Sequence, residues 1–99
     1  MAKFVVTLHL PVVFSEDFIA LIPRHRAFIN QLMEESVVET YAISADRTQG
    51  WVTMSGQSVE VIRGTVQKFP LYPFFTAVEI NELFLFDSAH ARFPRISLN

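Results

Sequence analysis

Residues 3–10, KFVVTLHL, alternate with a two-residue period. Phe4, Val6, Leu8 and Leu10 fall on one side, and Lys3, Val5, Thr7 and His9 on the other. Successive side chains of a strand point to opposite faces, so this segment predicts a β-strand with one apolar and one mixed face. Pro11 has no amide proton and ends the ladder. The period then lengthens. Apolar residues at 18, 21, 22, 28, 29 and 32 form a helical stripe behind Ser15, a favoured N-cap, with Glu16 and Asp17 where the helix dipole favours negative charge. Pro23 lies inside the stripe, which predicts either a kinked helix or a short turn followed by a helix starting at Pro23.

Residues 37–46 are β-rich, DRTQG reads as a turn, and WVTMSG reads as the returning strand of a hairpin. Val59, Ile62, Val66 and Phe69 stand at helical spacing, so residues 58–69 predict a second helix, weakened by Gly64. The prolines of FPLYPFF, residues 69–75, end it. TAVEINELFLF, residues 76–86, reads as a last strand, followed by an irregular tail from Asp87. The order β-α-β-β-α-β predicts an α+β, ferredoxin-like domain over residues 1–99: one antiparallel sheet with two helices on one face. The second face has no cover within the chain. Packing two such sheets face to face would give a dimeric α/β barrel.

Composition supports that expectation. The 99 residues suffice for one domain, yet 51% are apolar, ten are Phe and only 18% are charged. A small domain exposes much of its surface, so this apolar content predicts self-association as a homodimer or a larger ring. A net charge of −2, with 8 basic residues scattered along the chain, offers no basic patch for nucleic acid. No apolar run approaches the roughly 18 residues of a membrane span. The apolar N-terminal segment is broken by His9 and Pro11 and lacks a small-residue cleavage site, so a cytoplasmic protein is expected. With no Cys, disulfides and thiolate metal sites are excluded.

Three stretches then carry a family likeness. HLPV at the end of the first strand, SVE at the start of the second helix and FPLYPFF before the last strand together resemble the muconolactone isomerase family over roughly residues 4–86. The resemblance implies a dimeric α/β barrel. It also implies a cofactor-free 1,3-proton shift on a small lactone, with a carboxylate of the first helix as base. Aligning LPV and the helical stripe puts that position at or beside His25, in PRHRAF. No Asp or Glu occurs between Asp17 and Glu34, so the chain departs from the family at the base itself.

His25 is therefore the candidate base. It interrupts the apolar stripe, four residues after Leu21 and three before Phe28, and an imidazole titrates near neutrality. Its bland alternative is a hydrogen-bonded structural histidine between Arg24 and Arg26. His9 ends the first strand on its mixed face and is a second candidate for proton transfer, or else a polar residue at a barrel rim. Tyr41 and Trp51 on the hairpin, and Asn81 in the last strand, are candidates to line a pocket for a small organic ligand. Arg24 could attract its carboxylate. Two histidines without an acidic partner at diagnostic spacing give no metal site, and no cofactor is expected. There is neither a nucleophile elbow nor a phosphate-binding glycine loop. Two further functions fit the same fold: a cofactor-independent oxygenase, and a non-catalytic ligand-binding or assembly module.

Overall fold

The computed structural model describes residues 1–89, so the tail expected from Asp87 falls almost wholly outside the described residues. The elements run β1 (Ala2–His9), α1 (Glu16–Glu34), β2 (Val38–Ile43), β3 (Gln49–Gly56), α2 (Val59–Val66), a 3-10 turn (Tyr72–Phe74) and β4 (Ala77–Glu82). They form a four-stranded sheet in the order β2-β3-β1-β4, with antiparallel neighbours throughout. This is the ferredoxin-like α+β arrangement that the pattern predicts.

The β1 alternation becomes a burial alternation. Phe4, Val6 and Leu8 are fully buried, and they join Val52 and Met54 of β3, Ile29 and Leu32 of α1, and Ile62 and Val66 of α2 in one core. Each large apolar side chain buried there contributes about 1.5–3 kcal/mol. The residues between them, Lys3, Val5, Thr7 and His9, lie on the sheet face that the helices leave open.

Ser15 caps α1: its Oγ accepts the Phe18 amide proton at 3.2 Å. The helix runs on through Pro23, so the reading of a short turn followed by a helix starting at Pro23 is ruled out. Pro23 cannot donate to the Ile19 carbonyl, but both residues are exposed, so water can satisfy that oxygen. Ser58 caps α2 in the same way, accepting from the Val61 amide at 3.2 Å. The SVE stretch is thus a helix start.

β4 stops at Glu82, short of the strand expected to residue 86. Its last register partner is Phe4, near the start of β1, so little of β1 remains to pair with residues beyond it. β2 likewise covers less than residues 37–46, because Ser44 to Thr48 build the hairpin turn. There Asp46 Oδ1 accepts from Ser44 Oγ, Thr48 Oγ1 and the Thr48 amide. Those hydrogen bonds hold the exposed Asp46 carboxyl below its ordinary value.

Candidate functional site

The buried positions of α1 are Phe18, His25, Ile29 and Leu32. Steps of seven, four and three residues keep them on one face. His25 therefore points into the core beside apolar neighbours and is 1% exposed. No other polar or charged residue is buried among the described residues.

Its partner comes from β2 by way of a register shift. Val38 opposes Met54 on the helix side, Thr40 opposes Thr53, and Tyr41 opposes Val52. The irregularity between Val38 and Thr40 inserts one residue, so Val38 and Tyr41 share a face although three positions separate them. Thr53 Oγ1 accepts the Thr40 amide at 3.0 Å and lies 2.7 Å from Thr40 Oγ1, which ties the shifted segment down. Tyr41 consequently reaches α1, and its Oη lies 2.8 Å from His25 Nε2.

The FPLYPFF segment supplies the aromatic surroundings. Phe69 and Phe75 meet the imidazole edge-to-face, with centroids 5.5 and 6.4 Å away. Phe18 meets Phe74 edge-to-face at 5.5 Å and stacks on Phe14 at 4.1 Å. A cavity of about 120 Å³ lies against this layer, lined by Leu10, Phe14, Ile22, His25, Arg26 and Tyr41 among others. A cleft of about 270 Å³ adjoins it, lined by Arg26, Ile29, Asn30, Met33 and Tyr41. Arg26 and Tyr41 belong to both.

Burial sets the electrostatics. It lowers the His25 pKa to about 4, helped by the nearby Arg26 charge, so the imidazole is neutral at pH 7. Burial also raises the Tyr41 pKa to about 12, with Arg26 pulling the other way. His25 Nδ1 is buried and has no hydrogen-bond partner among the described residues.

The other candidate residues lie elsewhere. Trp51 opposes Thr7 and Asn81 opposes Val5, so both stand on the open sheet face with His9. His9 Nε2 lies 3.1 Å from Glu79 Oε1 there. The sheet separates this group from His25 and Tyr41, so five of the six candidates divide between two faces. Arg24 is exposed and does not line the cavity, whereas Arg26, two residues on, does. Both arginines adjoin His25, about 100° to either side of it, and only the flank that carries Arg26 borders the cavity.

Among the described residues no group of His, Asp and Glu could hold a metal ion, and no helix is long and apolar enough to cross a membrane. No protein-family model matches the chain. No curated protein matches its sequence. Among solved structures, the fold is similar to 5-chloro-2-hydroxyhydroquinone dehydrochlorinase (TftG) from Burkholderia phenoliruptrix AC1100 in complex with 2,5-dihydroxybenzoquinone. The TM-score is 0.58 at 13% identity, and the match covers 89% of this chain and 97% of that chain. At this identity the likeness establishes the fold alone.

Proposed function

We propose that the chain takes up a small oxygenated ring in the cavity between α1 and the sheet and moves a proton on it through the His25–Tyr41 pair. The observation that carries this reading is the 2.8 Å contact of His25 Nε2 with Tyr41 Oη at the wall of an apolar cavity. A cavity of about 150 Å³ holds a benzene ring, so about 120 Å³ suits one small ring, and the adjoining cleft suits its substituent. The lactone shift implied by the family resemblance is a reaction of this type. A ring C–H breaks, its proton passes to the His25–Tyr41 pair while its electron pair moves into an enolate, and the pair returns the proton two atoms away. The hydroxyquinone bound by the structurally similar dehydrochlorinase is also a small oxygenated ring.

The test is to incubate the protein with muconolactone and with 2,5-dihydroxybenzoquinone in D₂O and follow ring deuteration by NMR. Enzyme-dependent exchange that falls at least tenfold in His25→Ala supports the reading. Exchange equal to that of buffer for both compounds refutes proton transfer.

One observation favours a second reading. An imidazole with a pKa near 4 is a weak base at neutral pH, which suits a pocket that binds a ring without transforming it. Saturable binding without exchange would select that module.

We also propose that a second copy covers the open sheet face, giving the dimeric barrel. Trp51 on that face is 38% exposed. A monomer by light scattering would refute this part.

A further inference from the structure

We propose that Tyr41 Oη is the atom of the pair that meets the ligand, as a hydrogen-bond donor, and that it selects rings carrying a carbonyl, enolate or phenolate oxygen within reach of Arg26. The inference rests on the cavity reading and assigns roles within it.

The first step concerns the tautomer of His25. A neutral imidazole has one N–H and one lone pair, and the bond made by one nitrogen fixes the state of the other. If Tyr41 donated to Nε2, the proton would sit on Nδ1, which is buried without a partner among the described residues. A buried N–H left unpaired is the rarer and costlier orphan, and an unpaired lone pair is tolerated more readily. The favoured arrangement therefore puts the proton on Nε2, which donates to Tyr41 Oη at 2.8 Å. Nδ1 keeps only a lone pair, in an imidazole that the Phe69 and Phe75 rings meet edge-to-face.

The second step follows for Tyr41. With Oη accepting from His25, its own proton is left to donate elsewhere. Tyr41 lines both the cavity and the adjoining cleft, so that proton has open space before it. A ligand atom there must be an acceptor. Arg26 lines the same two spaces, and none of the described carboxylates pairs with it. Its guanidinium makes a negatively charged acceptor the best fit. His25 is then a positioning residue that holds the phenol oxygen: with Nε2 protonated it has no lone pair there to take a ring proton, so any proton shift passes through Tyr41 Oη.

Two measurements test this. In wild-type protein with ¹⁵N-labelled histidine, ring nitrogen shifts report which nitrogen of His25 carries the proton. The proposal requires the Nε2–H tautomer, and an Nδ1–H tautomer overturns it without any variant. Second, wild type, Tyr41→Phe and Arg26→Gln are titrated with 2,5-dihydroxybenzoquinone and with benzene. Tyr41→Phe is expected to weaken the hydroxyquinone about 10- to 100-fold, the range of one hydrogen bond to a charged group, and to leave benzene unchanged. Arg26→Gln is expected to weaken only the hydroxyquinone and to flatten its salt dependence. If both rings bind and Tyr41→Phe matches wild type, this assignment fails while the cavity reading stands. If neither ring binds wild type, the cavity reading fails, and this inference with it.

Discussion

Acid should destabilise this protein through His25 before its carboxylates respond. In the unfolded chain the imidazole titrates near 6.5, and in the folded chain burial lowers that to about 4. Above pH 6.5 the ring is neutral in both states and contributes no pH dependence. Between pH 6.5 and 4 the unfolded chain binds a proton that the folded chain refuses, so stability falls as pH falls. Below pH 4 both states are protonated and the loss is complete. At about 1.4 kcal/mol per pKa unit, the shift corresponds to about 3 kcal/mol at most. Relaxation of the surroundings around a charged buried ring brings the expected loss to about 2 kcal/mol.

The assay is urea unfolding of wild type and His25→Gln at several pH values from 7.5 to 4. With a denaturant slope of about 1–2 kcal/mol per molar, the wild-type midpoint should drop by about 1–2 M across the window. Gln places an amide near the position of Nε2, so it can still meet Tyr41 but does not titrate. Its curve should lack this component. Asp46 contributes in a different range: its depressed pKa gives stability that is lost only as pH falls below the ordinary carboxylate value of 3.8. Carboxylates common to both proteins cancel in the comparison. Identical pH dependence in the two proteins would refute the claim that His25 is held neutral by burial.

The remaining expectations are simpler. Gly64→Ala should stabilise by about 0.5–1 kcal/mol and raise Tm by about 3–6 °C in a thermal melt, because an added Cβ meets nothing within 4 Å and helix propensity improves. Thr53→Val removes the acceptor of the Thr40 amide and should cost about 0.5–1.5 kcal/mol in urea unfolding. It should also weaken hydroxyquinone binding, because the register shift it loosens is what aims Tyr41. The double variant His25→Leu/Tyr41→Phe replaces both partners with apolar groups, so it should be at least as stable as wild type, whereas His25→Leu alone strands the Tyr41 hydroxyl and should be less stable than the double variant.

The fold could be read from the chain because each element has its own local signal. The alternation of residues 3–10, the Ser15 and Ser58 caps and the hairpin around DRTQG each name an element without reference to the others. Half of the candidate site could be read as well: His25 breaks an apolar stripe, and a polar residue on a buried face stands out by type. Its partner could not be assigned to a face. Simple alternation puts Val38, Thr40 and Ala42 on one side of β2, with Tyr41 opposite. The inserted residue between Val38 and Thr40 brings Tyr41 onto Val38's side, and nothing in VVETYAI marks the shift. Trp51 and Asn81 look equivalent to Tyr41 by residue type, but only the register with Thr7 and Val5 places them on the other face. Arg24 and Arg26 differ by two helical positions, about 200° of rotation, and their order relative to the cavity depends on how α1 rests on the sheet.

Stability gives no reason for an imidazole at position 25. The stripe Phe18, Ile29 and Leu32 would be completed by leucine, which packs in the same layer and carries no polar atoms. Histidine there brings one nitrogen that needs Tyr41 and another that finds nothing, and an unpaired buried polar atom costs about 1–3 kcal/mol. Tyr41 is held to the same place by a departure from regular pairing in β2, a second local feature that a plain core would not need. Both irregularities meet at one atom pair, beside a ring-sized cavity and an arginine with none of the described carboxylates against it. Elsewhere in the core, local preference and packing agree. Among the described residues His25 is the one buried polar side chain, and places where a core departs from its own folding rules are expected to be places where it does something else.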